Sequence, residues 1–382
     1  MKKISNLLIL ALLTIGMGLT SCDEQLDNAV VPGVTPGTDE GEVTSITVDL
    51  SKIDEKYLNT EKTKLQLTVG DEVTLSFTIL PEEMASTEVE LTSADATILS
   101  IDGLKVKALK EGETKVTAKA GGKTAECTVT VAADPLATPL TVEAITAGTI
   151  TVNSPKAGMQ YSLNGGAKTA VSGDISVSAG DKVAFYGNGT SITSYNGTRI
   201  VGGTADIKVY GNIMSLVDET GFATNTELTA ANTFRNLFRD NTKLTDASGL
   251  LLPAKKLADN CYAAMFRNCT SLTTAPKELP AETLAQLCYY DMFNYCIALT
   301  ETPKLPAKNL ADNCYMTMFR NCTSLTTAYV KAAYDSYCYY MFDGCTAAAT
   351  LHTTSANKGS WDDEMGSGKT WSTWTTAADW TD

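Results

Sequence analysis

MFRNCTSLTTA, residues 265–275, recurs without a change at residues 318–328, and a diverged copy, MFNYCIALTET, lies between them at 292–302. In full length the copies occupy residues 252–278, 279–304 and 305–330, with degenerate copies around 234–252 and 334–345. A period of 26 to 27 residues suits one supersecondary unit that leaves apolar surface bare until a neighbour stacks on it. The first expectation is therefore a stacked array, an architecture suited to binding more than to catalysis. Leu257, Cys261, Met265 and Cys269 are spaced by four, as are Leu284, Cys288, Met292 and Cys296, and Leu310, Cys314, Met318 and Cys322. That spacing predicts one stripe of a helix, with Phe266, Phe293 and Phe319 beside it, followed by an extended piece such as 271–274 and then a proline.

The C-T-S-L-T segment after a Met-Phe pair is similar to the BspA-like leucine-rich repeats of bacterial surface proteins, which carry an Ala-Phe pair and a C-x-x-L-T segment. The resemblance runs from about residue 234 to 345 and implies an α/β leucine-rich-repeat-like solenoid, placed here at 230–350. Upstream, residues 43–132 alternate apolar and polar residues in short runs (65–69, 73–79, 98–101, 104–108, 114–120, 125–131) broken by Gly70-Asp71, Asp102-Gly103, Glu111-Gly112 and Gly121-Gly122. Such runs predict an all-β sandwich. TSITVD, LTVGDEVTLSFTILPE and the stretch from TSADATILSIDG to TAECTVTV resemble the group 2 bacterial Ig-like domain, with Leu91 where that family usually has tryptophan. Residues 137–218 read as a second small β-module, with Asn164-Gly165-Gly166 as a hairpin turn. The expected fold is thus multidomain: an Ig-like sandwich, a β-module, a repeat solenoid, and a Trp-rich cap at 351–382.

The first residues predict where this assembly is displayed. Lys2 and Lys3 precede an apolar run at 7–13 and then Leu19-Thr20-Ser21-Cys22, which reads as an export signal over 1–21. The ending resembles the lipobox of bacterial lipoproteins, which implies a lipid on Cys22 and attachment to a membrane. Asp23-Glu24-Gln25-Leu26-Asp27 is similar to the acidic tract that sends some lipoproteins to the outer face of the outer membrane. Residues 22–42, rich in Pro, Gly and polar residues, suit a flexible tether.

Charge and chemistry narrow the function. The formal net charge is -14, which argues against a nucleic-acid partner, since phosphate binding needs a basic footprint. The acid is concentrated upstream: residues 23–134 hold 10 basic and 22 acidic side chains, against 11 and 10 in 234–350. A nearly neutral array should recognise shape, aromatics and hydrogen bonds rather than a strong field. The chain has one histidine, His352, so histidine-based metal sites and catalytic triads lack partners, and no cysteine spacing suits a metal. Gly368-Lys369-Thr370 lacks the glycine a phosphate loop needs, having Asp363 in its place. No catalytic residue, cofactor or metal is expected.

The repeat cysteines read first as buried thiols filling a core, and second as disulfides of an exported chain, though eight residues of helix span about 12 Å, too far for closure within one helix. Tyr262, Tyr289, Tyr315 and Tyr339, each following a cysteine, read as packing between repeats, or alternatively as a stacking ladder for sugar rings. Positions that differ between copies suggest exposure, which makes Tyr290, Asp291 and Tyr295 the candidate ligand surface. The function expected is non-enzymatic adhesion or recognition of a host protein, matrix or another cell. The alternative is a glycan-binding accessory to a polysaccharide-uptake system, to which the terminal tryptophans would contribute.

Overall fold

A computed structural model describes residues 41–189, 192, 197–365 and 374–380. Residues 1–21, expected to be an export signal, and Cys22 and Trp371 lie outside the described residues. The first unit packs a four-stranded and a three-stranded sheet over one core, with the antiparallel pair Ser45–Val48 and Phe77–Leu80 adding Ile46 and Ile79 to it. Leu65–Thr68, Lys123–Ala132, Gly112–Ala120 and Glu90–Ser93 lie in that order in one, and Glu72–Thr74, Lys105–Ala108 and Leu99–Asp102 in the other. Along Gly112–Ala120 every second side chain is buried, because successive side chains of a strand point to opposite faces. Leu65, Leu99, Val106 and Val129 are fully enclosed between the sheets. Gly121 takes φ +52°, and a Cβ there would sit 2.4 Å from Val43, so the tight turn into Lys123–Ala132 needs glycine.

The second unit and the repeats share a single apolar core running from Leu140 to Trp374. Its six-stranded sheet has the order Thr169–Ala170, Gln160–Leu163, Lys182–Tyr186, Thr141–Ala144, Ile207–Asn212, Leu244–Leu251. The first five strands are antiparallel to their neighbours, whereas Ile207–Asn212 and Leu244–Leu251 run parallel. That last pair is the joint at which an antiparallel module becomes a parallel stack of repeats.

The repeats are not helical, and the expected α/β leucine-rich-repeat-like solenoid is not what the chain forms. The structure is mostly β, with one α-helix among the described residues, Lys358–Met365, outside the repeats, and its sheets are mixed and do not close. The stretch read as a helical stripe is instead a ribbon of overlapping β-turns. Asn260, Ala264 and Asn268 have φ of +56°, +52° and +62°, and Leu287, Asp291, Tyr295 and Asn313, Thr317, Asn321 repeat the pattern, a conformation no α-helix contains.

Alternate N–H groups serve two directions. Those of Cys261, Ala263, Met265, Arg267 and Cys269 bond back three residues within the copy at 3.0 to 3.2 Å, and those of Asn260, Tyr262, Ala264, Phe266 and Asn268 donate to the next copy at 2.8 to 3.0 Å. The backbone is therefore satisfied within and between copies. Spacing by four survives because one left-handed residue in four returns the ribbon to the same face.

On the inward face the stack builds columns. Phe238, Phe266, Phe293, Phe319 and Phe342 lie ring on ring at 5.4, 5.1, 5.3 and 5.6 Å. Phe234, Tyr262, Tyr289 and Tyr315 form a second column at 5.6, 5.7 and 6.1 Å. All nine cysteines among the described residues are free and buried. In the column Cys269, Cys296, Cys322 and Cys345, each Sγ donates to the phenylalanine carbonyl of the preceding copy at 3.1 to 3.2 Å. Asn241 holds the same place at the start of the column, its Nδ2 donating to the carbonyl of Ile200 at 3.2 Å.

At the far end the fully buried Trp361 donates its Nε1 to the carbonyl of Ala332 at 2.9 Å, and Trp374 packs 4.8 Å from Phe342. These two tryptophans cover the surface that a further copy would have buried.

Candidate functional site

The turn ribbon faces away from a second side of the stack, where short parallel strands run through consecutive copies. Glu301–Leu305, Thr327–Val330, Thr350–His352 and Thr375–Ala377 pair in that order. Their register puts Lys304 beside Tyr329, Tyr329 beside His352 and His352 beside Ala377. A second file, two positions back along the later strands and so on the same face, runs Glu301, Thr327, Thr350, Thr375.

Three clefts follow one another across this side. A 370 Å³ cleft is lined by Ser248, residues 274–278, Glu301, Thr302 and Lys304. A 260 Å³ cleft, sharing Lys304, is lined by Tyr329, His352, Asp379 and Trp380. A third, of 270 Å³ and largely apolar, lies at the other end between Leu136, residues 250–253 and Pro280, and shares Ser248, Lys277 and Glu278 with the first. Shared walls make them one groove crossing the strands. At about 4.8 Å per strand, the five steps from the strand of Leu251 to that of Ala377 give a length of about 24 Å.

The groove ends in an aromatic wall. The rings of Tyr329 and His352 stack at 4.7 Å with an interplanar angle of 19°, and Trp380 meets Tyr329 edge-on at 6.2 Å. His352 Nδ1 lies 2.9 Å from both carboxylate oxygens of Asp379, and Trp380 N–H donates to the carbonyl of Thr353 at 3.1 Å, so the closing segment is pinned against the last strands. Burial, then the nearby Glu301 and Asp379 carboxylates, hold the Tyr329 hydroxyl above its ordinary pKa, so it enters as a hydrogen-bonding hydroxyl and not as an anion. Lysines at 277 and 304 stand with carboxylates at 278, 301 and 379, giving donors and acceptors without a strong field of either sign. No group of three or more His, Cys, Asp or Glu among the described residues is placed to hold a metal ion.

The residues singled out in the sequence lie elsewhere, on the turn ribbon. Tyr290 is half-buried, Asp291 is 3% exposed and Tyr295 is 47% exposed. They do not converge on one accessible surface. Asp291 is internal: its carboxylate takes Arg267 Nη1 at 2.8 Å, Asn294 Nδ2 at 2.6 Å and Thr317 Oγ1 at 3.0 Å. Variation between copies marked, at this position, a clip inside the stack. Tyr262, Tyr289 and Tyr315 are buried ring on ring and offer no platform for a sugar. Tyr339 does not continue them. Cys338 is three residues before Met341 where Cys314 is four before Met318, so Cys338 takes the tyrosine place and Tyr339 is turned out at 43% exposure.

No sequence motif marks the groove residues. The meeting of His352 with Tyr329 and Trp380 depends on strand register. A periodic sign was present, however: the Thr-Thr, Thr-Glu and Thr-Thr pairs at 273–274, 300–301 and 326–327 recur at the repeat period.

Tyr295 is informative in a different way. It occupies a left-handed position, φ +62°, whose counterparts in the other copies are Asp240, Asn268, Asn321 and Gly344, the residue types that tolerate it. Tyr295→Asn should raise the stability of the array by about 0.5–1 kcal/mol, seen as a higher urea midpoint. A lower midpoint would show that contacts of the ring outweigh the strain.

No family model matches the chain, and no curated protein does either. Among solved structures, the S-layer protein rSbsC(31-844) aligns at 13% identity over 41% of this chain and 25% of that one, with a TM-score of 0.17. A second structure, surface layer protein SbsC domains 1-6, aligns at 15% identity over 46% and 26%, with a TM-score of 0.19. This chain spans about a quarter of the length of those structures, and a likeness at these TM-scores carries no argument about its fold or function.

Proposed function

We propose that this is a non-enzymatic recognition protein of the cell surface, anchored in the outer membrane by a lipid on Cys22, facing outward, and binding an extended host or cell-surface ligand in the strand-side groove. One observation carries the recognition reading. The inward columns repeat the same residue types from copy to copy, whereas one file of the groove presents a different side chain on each equivalent strand: Lys304, Tyr329, His352. A regular backbone displaying varied polar and aromatic groups along a line about 24 Å long suits a chain-like ligand. The anchor reading rests on Leu19-Thr20-Ser21-Cys22 and the acidic residues after it.

Two measurements test this. Cys22→Ala should move the chain from the membrane to the soluble fraction, and retention in the membrane would remove the lipid anchor from the proposal. Treating intact cells with a protease that cannot cross the outer membrane should destroy the repeats while a periplasmic control protein survives. Repeats protected until the membrane is broken would place the groove in the periplasm and end the adhesive reading.

A further inference from the structure

We infer that the ligand held at the closed end of the groove is a neutral glycan, with a sugar ring against the Tyr329, His352 and Trp380 wall and its hydroxyls met by Lys304 and Asp379. The inference rests on the groove being a recognition site and names its ligand class.

A pyranose has an apolar C–H face and a rim of hydroxyls that each donate and accept. It therefore needs an aromatic wall with donors and acceptors beside it. The 260 Å³ cleft supplies both within one space, with two ring systems on the strands and a third on the closing segment. Aromatic rings give a broad apolar contact while their polar tips stay available.

The other chain-like ligands fit less well. A peptide bound by strand addition needs an unpaired strand edge. The groove floor offers none, because Thr327–Val330 and Thr350–His352 are each paired on both sides and the groove runs across them. A polyanion needs a cluster of unopposed cations, and Lys304 stands with Glu301 and Asp379 nearby. An uncharged polymer of linked rings, which can keep laying hydroxyls along the threonine file 327, 350, 375, is the class these groups serve.

The test is affinity electrophoresis of the detergent-solubilised full chain through gels containing laminarin, yeast α-mannan, xyloglucan or arabinogalactan, with gelatin as an extended polypeptide and chondroitin sulfate as a polyanion. At least one neutral polysaccharide should retard the wild-type chain, and Trp380→Ala should weaken that binding tenfold or more. Lys304→Ala, at an exposed side chain remote from the buried columns, should weaken it several-fold with an unchanged melting temperature, which separates lost binding from lost fold. Retardation by gelatin or chondroitin sulfate alone, sensitive to these substitutions, would overturn the glycan assignment and leave the groove as the site. No retardation by any probe, or retardation indifferent to both substitutions, would overturn the assignment and the groove together.

Discussion

Raising the pH from 8 to 10 should unfold the repeat stack while the first β unit stays folded. The eight repeat cysteines are buried as thiols, and burial pushes their pKa up from the ordinary 9.0: to about 12 for Cys261, Cys314 and Cys345, and well above 9.0 for Cys288, Cys296 and Cys322, with Cys269 and Cys338 raised as well. The folded chain keeps these protons between pH 9 and about 12, whereas the unfolded chain releases them from about pH 9 upward. The unfolded state therefore binds fewer protons, and stability that is fully present below pH 9 falls as pH rises. Each thiol removes about 1.4 kcal/mol per pH unit above that point. Eight in one core remove on the order of 10 kcal/mol by pH 10, comparable with the whole stability of a typical domain. The buried hydroxyls of Tyr262, Tyr289 and Tyr315, also raised by burial, add to the loss at higher pH.

Far-UV circular dichroism and iodoacetamide labelling at pH 8, 9 and 10 read this directly: eight thiols should become reactive together as the stack opens, while Cys127, alone in the separate core of the first unit, reacts later. A stack that keeps its spectrum and protects its thiols at pH 10 would mean that the thiols are not held in the dry columns described here. The same columns explain why cysteine serves better than alanine at 269, 296, 322 and 345. The thiol fills space as a small apolar group and still offers a weak donor to a carbonyl that would otherwise have only the bond from its own copy.

How the sequence misled is instructive, because the error was in periodicity and not in burial. Met265, Phe266 and Cys269 are fully enclosed, as an apolar stripe implies, yet a helix and a turn ribbon with one left-handed residue in four return side chains to one face at the same interval. Asparagine was the distinguishing signal. Asn260, Asn268, Asn313 and Asn321 each stand immediately before a cysteine, and asparagine is a weak helix former that accepts the left-handed conformation readily. The β runs of the first unit were legible because strict alternation and glycine turns have no helical counterpart, and Leu65–Thr68, Lys105–Ala108 and Gly112–Ala120 lie where that alternation put them. The groove was not legible. Its walls come from residues about 25 apart whose meeting depends on parallel register, and on a closing segment that brings Asp379 to His352.

Asp291→Ala should be the most costly truncation of a polar side chain on the turn ribbon, at about 3 kcal/mol. The carboxylate joins three copies: Arg267 from one, Asn294 from its own, and Thr317 from the next. Truncation leaves the buried Asn294 amide without its acceptor, at about 1–3 kcal/mol for such a group, while the Thr317 hydroxyl keeps the carbonyl of Met316 at 2.7 Å, and it breaks an ion pair whose carboxylate partner is enclosed. Arg267 is 37% exposed, so shortening it opens the Asp291 carboxylate to water, which together with the remaining Asn294 and Thr317 bonds holds the cost of Arg267→Ala to about 1–2 kcal/mol. Asp291→Asn should fall between the two, since asparagine tolerates the φ of +61° found here and retains an oxygen that can accept from Thr317, but carries no charge for Arg267. Urea midpoints for the three variants and the double variant order these effects. If Asp291→Ala stays within about 0.5 kcal/mol of wild type, the range of an ordinary surface change, the carboxylate does not clip the stack and its exposed reading returns. The expected order instead makes the difference between copies at 264, 291 and 317 a matter of internal fit, and leaves variation on the strand side as the part of the pattern available to a ligand.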